Sequence, residues 1–193
     1  MQKRKSFGNT TRIQNLIERI NSEDQTARVE LIEESKERLR RLASKMLSGF
    51  PQLREKGRAE TGMVLNDVLF SLYKSFDDLE FESPSHFINL AATKIRRCLL
   101  DVKRKHELEI RKMGEELPTV AGATNSEDAF SLDDWAAFHK AVGQLPSDEK
   151  EVFKLRYYGG WNRAETAVIV GVAEKTVSRR YGGAVNRLAD LMK

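Results

Sequence analysis

The segment Leu155–Leu188, LRYYGGWNRAETAVIVGVAEKTVSRRYGGAVNRL, decides how the chain is read. Gly159 and Gly160 break whatever helix precedes them, Asn162 can cap the next one, and Glu165 stands where a capping-box acid reaches back to the cap. Ala167 and Gly171 follow four apart: the small residue lets two helices cross closely, and the glycine can take the positive φ of a sharp turn. Val172 and Val177 are expected to pack inward. On the second helix Val177, Tyr181, Ala184 and Leu188 recur at helical spacing as a buried stripe. That leaves Lys175, Ser178 and Arg179 outward, with Thr176 and Arg180 beside them, and these are side chains that reach base edges and phosphates. The pattern implies a helix-turn-helix DNA reader. A plain helical hairpin would share the small residues, but Lys175, Arg179, Arg180 and Arg187 against a lone Glu174 argue for nucleic acid. Gly182 and Gly183 fit this second helix poorly, at about 1 kcal/mol each. Either the backbone approaches something closely there or the helix is weakened.

The 193 residues can form one domain or two small ones with a real core. Charged residues at 32% and hydrophobic ones at 40% describe a folded, soluble chain, not a disordered one. The formal net charge of +4 is modest for a nucleic-acid binder, so the placement of the basic residues matters more than their sum. Cys98 is the single cysteine, which excludes an internal disulfide and suits a reducing cytoplasm. Its helical spacing with Ile95, Leu99 and Val102 reads as a core thiol. The basic opening MQKRKSFGNTTR leads into no apolar run, so neither a signal peptide nor a membrane span is expected.

Upstream, nearly everything reads as helix, and no strand pattern is found. Ile13, Leu16, Ile17 and Ile20 mark a short amphipathic segment, and a longer one rich in Arg and Glu runs from Val29 to Met46 before Gly49, Phe50 and Pro51 close it. A third helix, Thr61 to Tyr73, turns Val64, Leu65, Val68, Leu69 and Leu72 inward. An acidic loop from Phe76 to Ser85 precedes a fourth helix, from about His86 past Lys105. Leu117 to Ala129, with Pro118, Gly122 and small polar residues, has the composition of a linker. A second unit then begins with Trp135, Phe138 and Val142, turns at Leu145 and Pro146, and restarts with Ser147 as a cap and Asp148 and Glu149 in the first turn. The expected architecture is all-α: two small helical domains, residues 1–112 and 131–193, joined by a flexible linker at 113–130, the second carrying the helix-turn-helix.

The fourth helix has two unlike faces. Phe87, Leu90, Ala91, Ile95, Cys98, Leu99 and Val102 form its core stripe. Between Thr93 and His106 six basic residues, Lys94, Arg96, Arg97, Lys103, Arg104 and Lys105, oppose one acid, Asp101. Beside a downstream DNA reader, that charge run reads as a phosphate-contacting stripe.

Taken in this order, the two units resemble a bacterial RNA polymerase sigma factor of the extracytoplasmic-function (ECF) type, over most of the chain. Leu145 to Leu188 looks like sigma region four, with its leucine-proline turn, its L-R-Y-x-x-G stretch and its paired helices. VLNDVLFSLY, Val64 to Tyr73, is similar to the region-two helix that docks on polymerase, where the family usually has glutamine and an acid in place of Asn66 and Asp67. HFINLAATKIRRCLLDVKRK, His86 to Lys105, resembles the helix that meets the minus-ten element, closest to the variety with alanines before an R-R-x-x-x-D core. Common ECF sequences carry an aromatic near Leu90 and asparagine at the Arg97 position, and this chain departs from both. The stretch before Val29 carries little family signal and reads as an added helix of the first domain.

The resemblance implies a mechanism. Region two would bind the clamp of the largest polymerase subunit through Asn66, Asp67 and Phe70, and region four would sit on the flap of the second-largest subunit while Lys175, Thr176, Ser178, Arg179 and Arg180 read the minus-thirty-five element. Arg96, Arg97, Lys103 and Arg104 would meet the DNA backbone near the minus-ten element. Phe81, Ser83, His86 and Phe87 would hold unstacked bases, which needs no catalytic group. Partners would be core RNA polymerase and promoter DNA, with an anti-sigma factor admitted, no membrane, no cofactor and no metal. Other classes of function fit the sequence less well. An enzyme is disfavoured because His86, His106 and His139 are scattered, no Cys/His cluster or glycine-rich phosphate loop is found, and Asp77 with Asp78 and Asp133 with Asp134 read as caps and solvated charge. A dimeric helix-turn-helix regulator with an N-terminal sensor would need neither the basic fourth helix nor the docking helix.

Overall fold

The computed structural model describes the backbone of residues 3–48, 60–112 and 132–193, together with Leu53. Among these it is all-α, with eight helices and no strand. The expected linker at 113–130 lies outside the described residues.

The helices follow from the apolar periodicities. Helix α1 (Lys3–Asn21) buries Ile13, Leu16, Ile17 and Ile20, one stripe at helical spacing. Its end is closed by Glu23, which takes a left-handed φ of 65°, and Asp24 then caps α2 (Gln25–Leu47) by accepting the amides of Thr26 and Ala27. Helix α3 (Thr61–Ser75) turns Val64, Leu65, Val68 and Leu72 inward and packs between α2 and α4 (Pro84–Lys112). The α4 stripe of Phe87, Ala91, Ile95 and Leu99 is wholly buried, whereas Leu90, Cys98 and Val102 only flank it.

The C-terminal part begins with α5 (Leu132–Gln144), whose Trp135, Phe138 and Val142 are core residues. Pro146, not Ser147, occupies the cap position of α6 (Ser147–Phe153) and makes no side-chain capping bond, so the serine is the first helical residue. Asp148 and Glu149 do fall in its first turn, where carboxylates suit the helix dipole. Helix α6 then widens into a π-helical turn, Lys154–Tyr158, in which the Gly159 amide reaches back to the Lys154 carbonyl at 3.1 Å. After Gly160, at φ 66°, the chain enters α7 (Arg163–Val170), a turn at Gly171, and α8 (Glu174–Leu191).

The core does not stop at the boundary between the two expected domains. Buried side chains of α1 to α4 form one cluster with Trp135, Phe138, Phe153, Leu155, Tyr158, Trp161 and Leu188. Helix α1 packs on α7, and α4 packs on the π turn.

Candidate nucleic-acid and polymerase interface

Helix α7 starts on a complete capping box. The Glu165 amide donates to Asn162 Oδ1 at 2.9 Å, and the Asn162 amide donates to Glu165 Oε2 at 2.6 Å. It ends at Gly171, whose φ of 69° lets the Val172 amide turn back to the Ala167 carbonyl at 3.0 Å. Val152, Ala167 and Val177 seal the corner, with Val172 partly buried against them. The corner sets α8 with Val177, Ala184 and Leu188 inward, Tyr181 half-buried, and Lys175, Ser178 and Arg179 in solvent. Thr176 is half-buried. Arg180 leans back to pair with Asp148, and Arg187 pairs with Glu149 at 2.9 Å, so two of the basic groups are partly neutralised within the fold. The glycine pair has two separate explanations: a Cβ on Gly183 would come within 2.9 Å of Glu149 Oε1, whereas one on Gly182 would meet nothing within 4 Å.

The basic stripe of α4 divides. Arg97 and Arg104 are exposed, the latter 3.7 Å from Asp101, and the partly exposed Lys103 lies 3.4 Å from Glu107. Lys94 donates to Ser71 Oγ at 2.8 Å, across to α3. Arg96 is different. It is half-buried, and burial, followed by the Arg96 charge, holds His139 of α5 down to a pKa of about 4. His139 Nδ1 lies 2.7 Å from the Tyr158 hydroxyl.

Two of the expected base-holding residues are corrected by their burial. Phe81 is 1% and Phe87 0% exposed, and with Phe76 they form an edge-to-face cluster, its ring centroids 5.4 and 5.7 Å apart. Asn21 clamps the Phe81 backbone from both sides, its Nδ2 donating to the carbonyl at 2.8 Å and its Oδ1 accepting the amide at 3.2 Å. These rings are the floor under the loop. Ser83 and His86 remain partly exposed above it, tied together by the His86 amide donating to Ser83 Oγ at 3.2 Å. The exposed rim, Asp77, Asp78, Glu80 and Glu82, is acidic.

Helix α3 carries the remaining expected residues. Asn66, Asp67 and Phe70 are all exposed, Phe70 to 63% with Lys74 Nζ 4.4 Å above its ring. Met63 and Tyr73, large side chains that the apolar periodicity alone did not single out, lie on the same face and are also in solvent. Their signal was spacing: Met63 stands three residues before Asn66 and Tyr73 three after Phe70. Cys98 belongs to this neighbourhood more than to the core: it is half-buried, with Sγ 3.9 Å from Asp67 Oδ2, in an open cavity of about 370 Å³ shared with Lys94, Arg97 and Asp101.

No curated relative matches the sequence. Among solved structures the chain is similar to CnrH in complex with the cytosolic domain of CnrY, at 20% identity over 94% of this chain and 96% of that one, with a TM-score of 0.37. It is similar to the sigma factor RpoE from Bartonella quintana in complex with the anti-sigma factor NepR, at 22% identity over 84% and 96% with a TM-score of 0.37. It is also similar to the flagellar Sigma-28/FlgM complex, at 18% over 89% and 97% with a TM-score of 0.34. Those likenesses are too loose to place any residue. The family model for ECF sigma factors, in contrast, matches residues 10–192, nearly the whole sequence. With its all-helical fold and that match end to end, the chain belongs to the ECF sigma factor family.

Proposed function

We propose that the chain docks on core RNA polymerase through the exposed face of α3 and directs it to promoters that it reads with α8 and α4, with no turnover of its own. The observation that carries this reading is the α3 face: Phe70, Met63 and Tyr73 stand in solvent around Asn66 and Asp67. A cluster of large apolar side chains ringed by polar ones fits a protein partner. In this reading residues 1–112 act as region two, 113–130 connect, and 131–193 act as region four. Lys175, Ser178 and Arg179 read the minus-thirty-five element, with Thr176 and Arg180 at the edge of the contact. Arg97, Lys103 and Arg104 track phosphates beside the minus-ten element, and Ser83 and His86 meet the opened strand over the Phe81 and Phe87 floor. The place of action is the cytoplasm, and no helix among the described residues is long and apolar enough to cross a membrane. Two of the similar structures hold sigma factors with anti-sigma partners, and the α3 face is the surface for which such a partner would compete here.

Transcription with purified core polymerase tests the reading directly. The chain is expected to form a complex at micromolar concentration and support initiation, and failure to bind core enzyme would sink it. Asp67→Arg and Phe70→Ala should each weaken core binding with helicity unchanged. Lys175→Ala and Arg179→Ala, scored on a randomised upstream element, should cost about 1–3 kcal/mol where a base contact is lost and relax preference at one position.

A further inference from the structure

The loop between α3 and α4, residues 76–83, is held at both ends by side chains from the corner where α1 meets α2. At its far end Asn21, the last residue of α1, takes the Phe81 amide on Oδ1 and gives Nδ2 to the Phe81 carbonyl, so one carboxamide occupies both backbone groups of a single residue. At its near end Arg28 of α2, its side chain 11% exposed, donates Nη2 to the Phe76 carbonyl at 3.2 Å and pairs Nη1 with Asp77. Among the described residues, no backbone-to-backbone hydrogen bond involves Leu79 to Glu82. Side chains of the corner therefore supply what a neighbouring strand would. The corner itself is fixed. Helix α1 ends in a Schellman turn, the Asp24 amide reaching the Arg19 carbonyl and the Glu23 amide the Ile20 carbonyl, both at 3.0 Å, with Glu23 left-handed. Arg19 Nε then donates to Asp24 Oδ2 at 2.8 Å, and its terminal nitrogens reach both carboxylate oxygens of Glu30 at 3.2 Å.

What this frame fixes is register. Asn21 is itself exposed, so its clamp is no part of the core packing. Along the extended stretch Glu80 and Glu82 stand in solvent and Phe81, 1% exposed, points in. A slip of one residue would turn the ring outward and a carboxylate onto Phe76 and Phe87. The outward side chains have the wrong sign for a DNA backbone: Asp77, Asp78, Glu80 and Glu82 repel phosphates, whereas base edges offer amino groups that a carboxylate accepts from. A loop of this charge serves an opened strand only when held at one distance and angle, with the phosphates left to Arg97, Lys103 and Arg104. We infer that Asn21 and Arg28 are positioning residues for promoter opening: they set the loop so that its outward face meets the bases of the opened strand, without touching DNA themselves. The inference rests on the promoter reading above for its consequence, and the clamp itself is tested without polymerase.

Amide hydrogen exchange of the full chain reads the clamp. The Phe81 amide should exchange about tenfold faster in Asn21→Ala than in wild type, with the core helices unchanged. Transcription with core polymerase reads the consequence. Asn21→Ala should bind core polymerase and transcribe a pre-melted template as wild type does, yet give about tenfold less opened promoter on a fully paired one, scored by permanganate reactivity of unpaired thymines. Preference among the bases opposite the loop should relax as well, which a loss of stability alone does not cause. Arg28→Met, which frees the near end and keeps the apolar stem, should show the same split. Ile13→Val, a core truncation about two turns earlier in α1, should lower the urea midpoint and leave opening and preference at wild-type values. Unchanged Phe81 exchange in Asn21→Ala, or faster exchange with wild-type opening of the paired template, overturns the positioning role. An equal loss by Asn21→Ala on both templates does so too. A wild type that fails to bind core polymerase would overturn the promoter reading and the positioning role with it, while the exchange still reports on the clamp.

Discussion

A side chain on Gly159 has nowhere to go. Its Cβ would lie 2.0 Å from the Trp161 ring and 2.7 Å from the Leu155 carbonyl, so Gly159→Ala must displace either a buried indole or the π turn. The expected loss is about 1–3 kcal/mol in a urea melt. Gly182 is the opposite case, a glycine in mid-helix with open space where a Cβ would stand, and Gly182→Ala should add about 1 kcal/mol. His139 makes a third test at this scale. Burial, and then the Arg96 charge, bring its pKa from the ordinary 6.5 down to about 4 in the folded chain. Between those values the unfolded chain binds a proton that the folded chain refuses, so stability is full above about pH 6.5 and falls as the pH drops toward 4. Urea midpoints at pH 7.5 and pH 5 should differ in that direction, and His139→Gln should flatten the difference.

Among the elements, what was legible was local. Asn162 with Glu165, and Ala167 with Gly171, are separated by three and four residues, and each pair performs the job its spacing predicts. The stripes of α1, α3 and α4 follow the helical period because burial selects it. The misreadings have equally physical sources. An aromatic ring suited to stacking a base is equally suited to a core, and only packing tells Phe81 and Phe87 which they are. Pro146 took the cap position from Ser147, since a proline's fixed φ suits a helix entrance without any capping side chain. The π turn has no sequence signature, and the hydrogen bond that Arg38 of α2 donates to the Gly159 carbonyl spans 121 residues, beyond any local pattern. Along α8, the basic residues are less free than their number suggests. Arg180 and Arg187 are held by Asp148 and Glu149 of α6. Asp148→Ala releases Arg180, so it should raise affinity for duplex DNA of any sequence and steepen the dependence of log K on log salt by about one. Fluorescence-anisotropy titrations from low to moderate salt would register both.

For the whole molecule, the shared core sets how it comes apart. Trp135, Phe138 and Tyr158 lie in the same cluster as Leu39, Leu72 and Ile95, so neither part can unfold without stripping apolar surface from the other. Far-UV and near-UV dichroism are expected to follow one coincident thermal transition. Two resolved steps would show instead that each part melts alone. The same continuity means that the peptide connection between α4 and α5 is not what keeps them together. Expressed as two polypeptides, residues 1–112 and 132–193 should assemble as a heterodimer. Joining them in one chain merely supplies each with a high local concentration of the other. The dissociation constant of that heterodimer, compared with the effective concentration of the tethered pair, would give the strength of the shared core as a measurable bimolecular affinity.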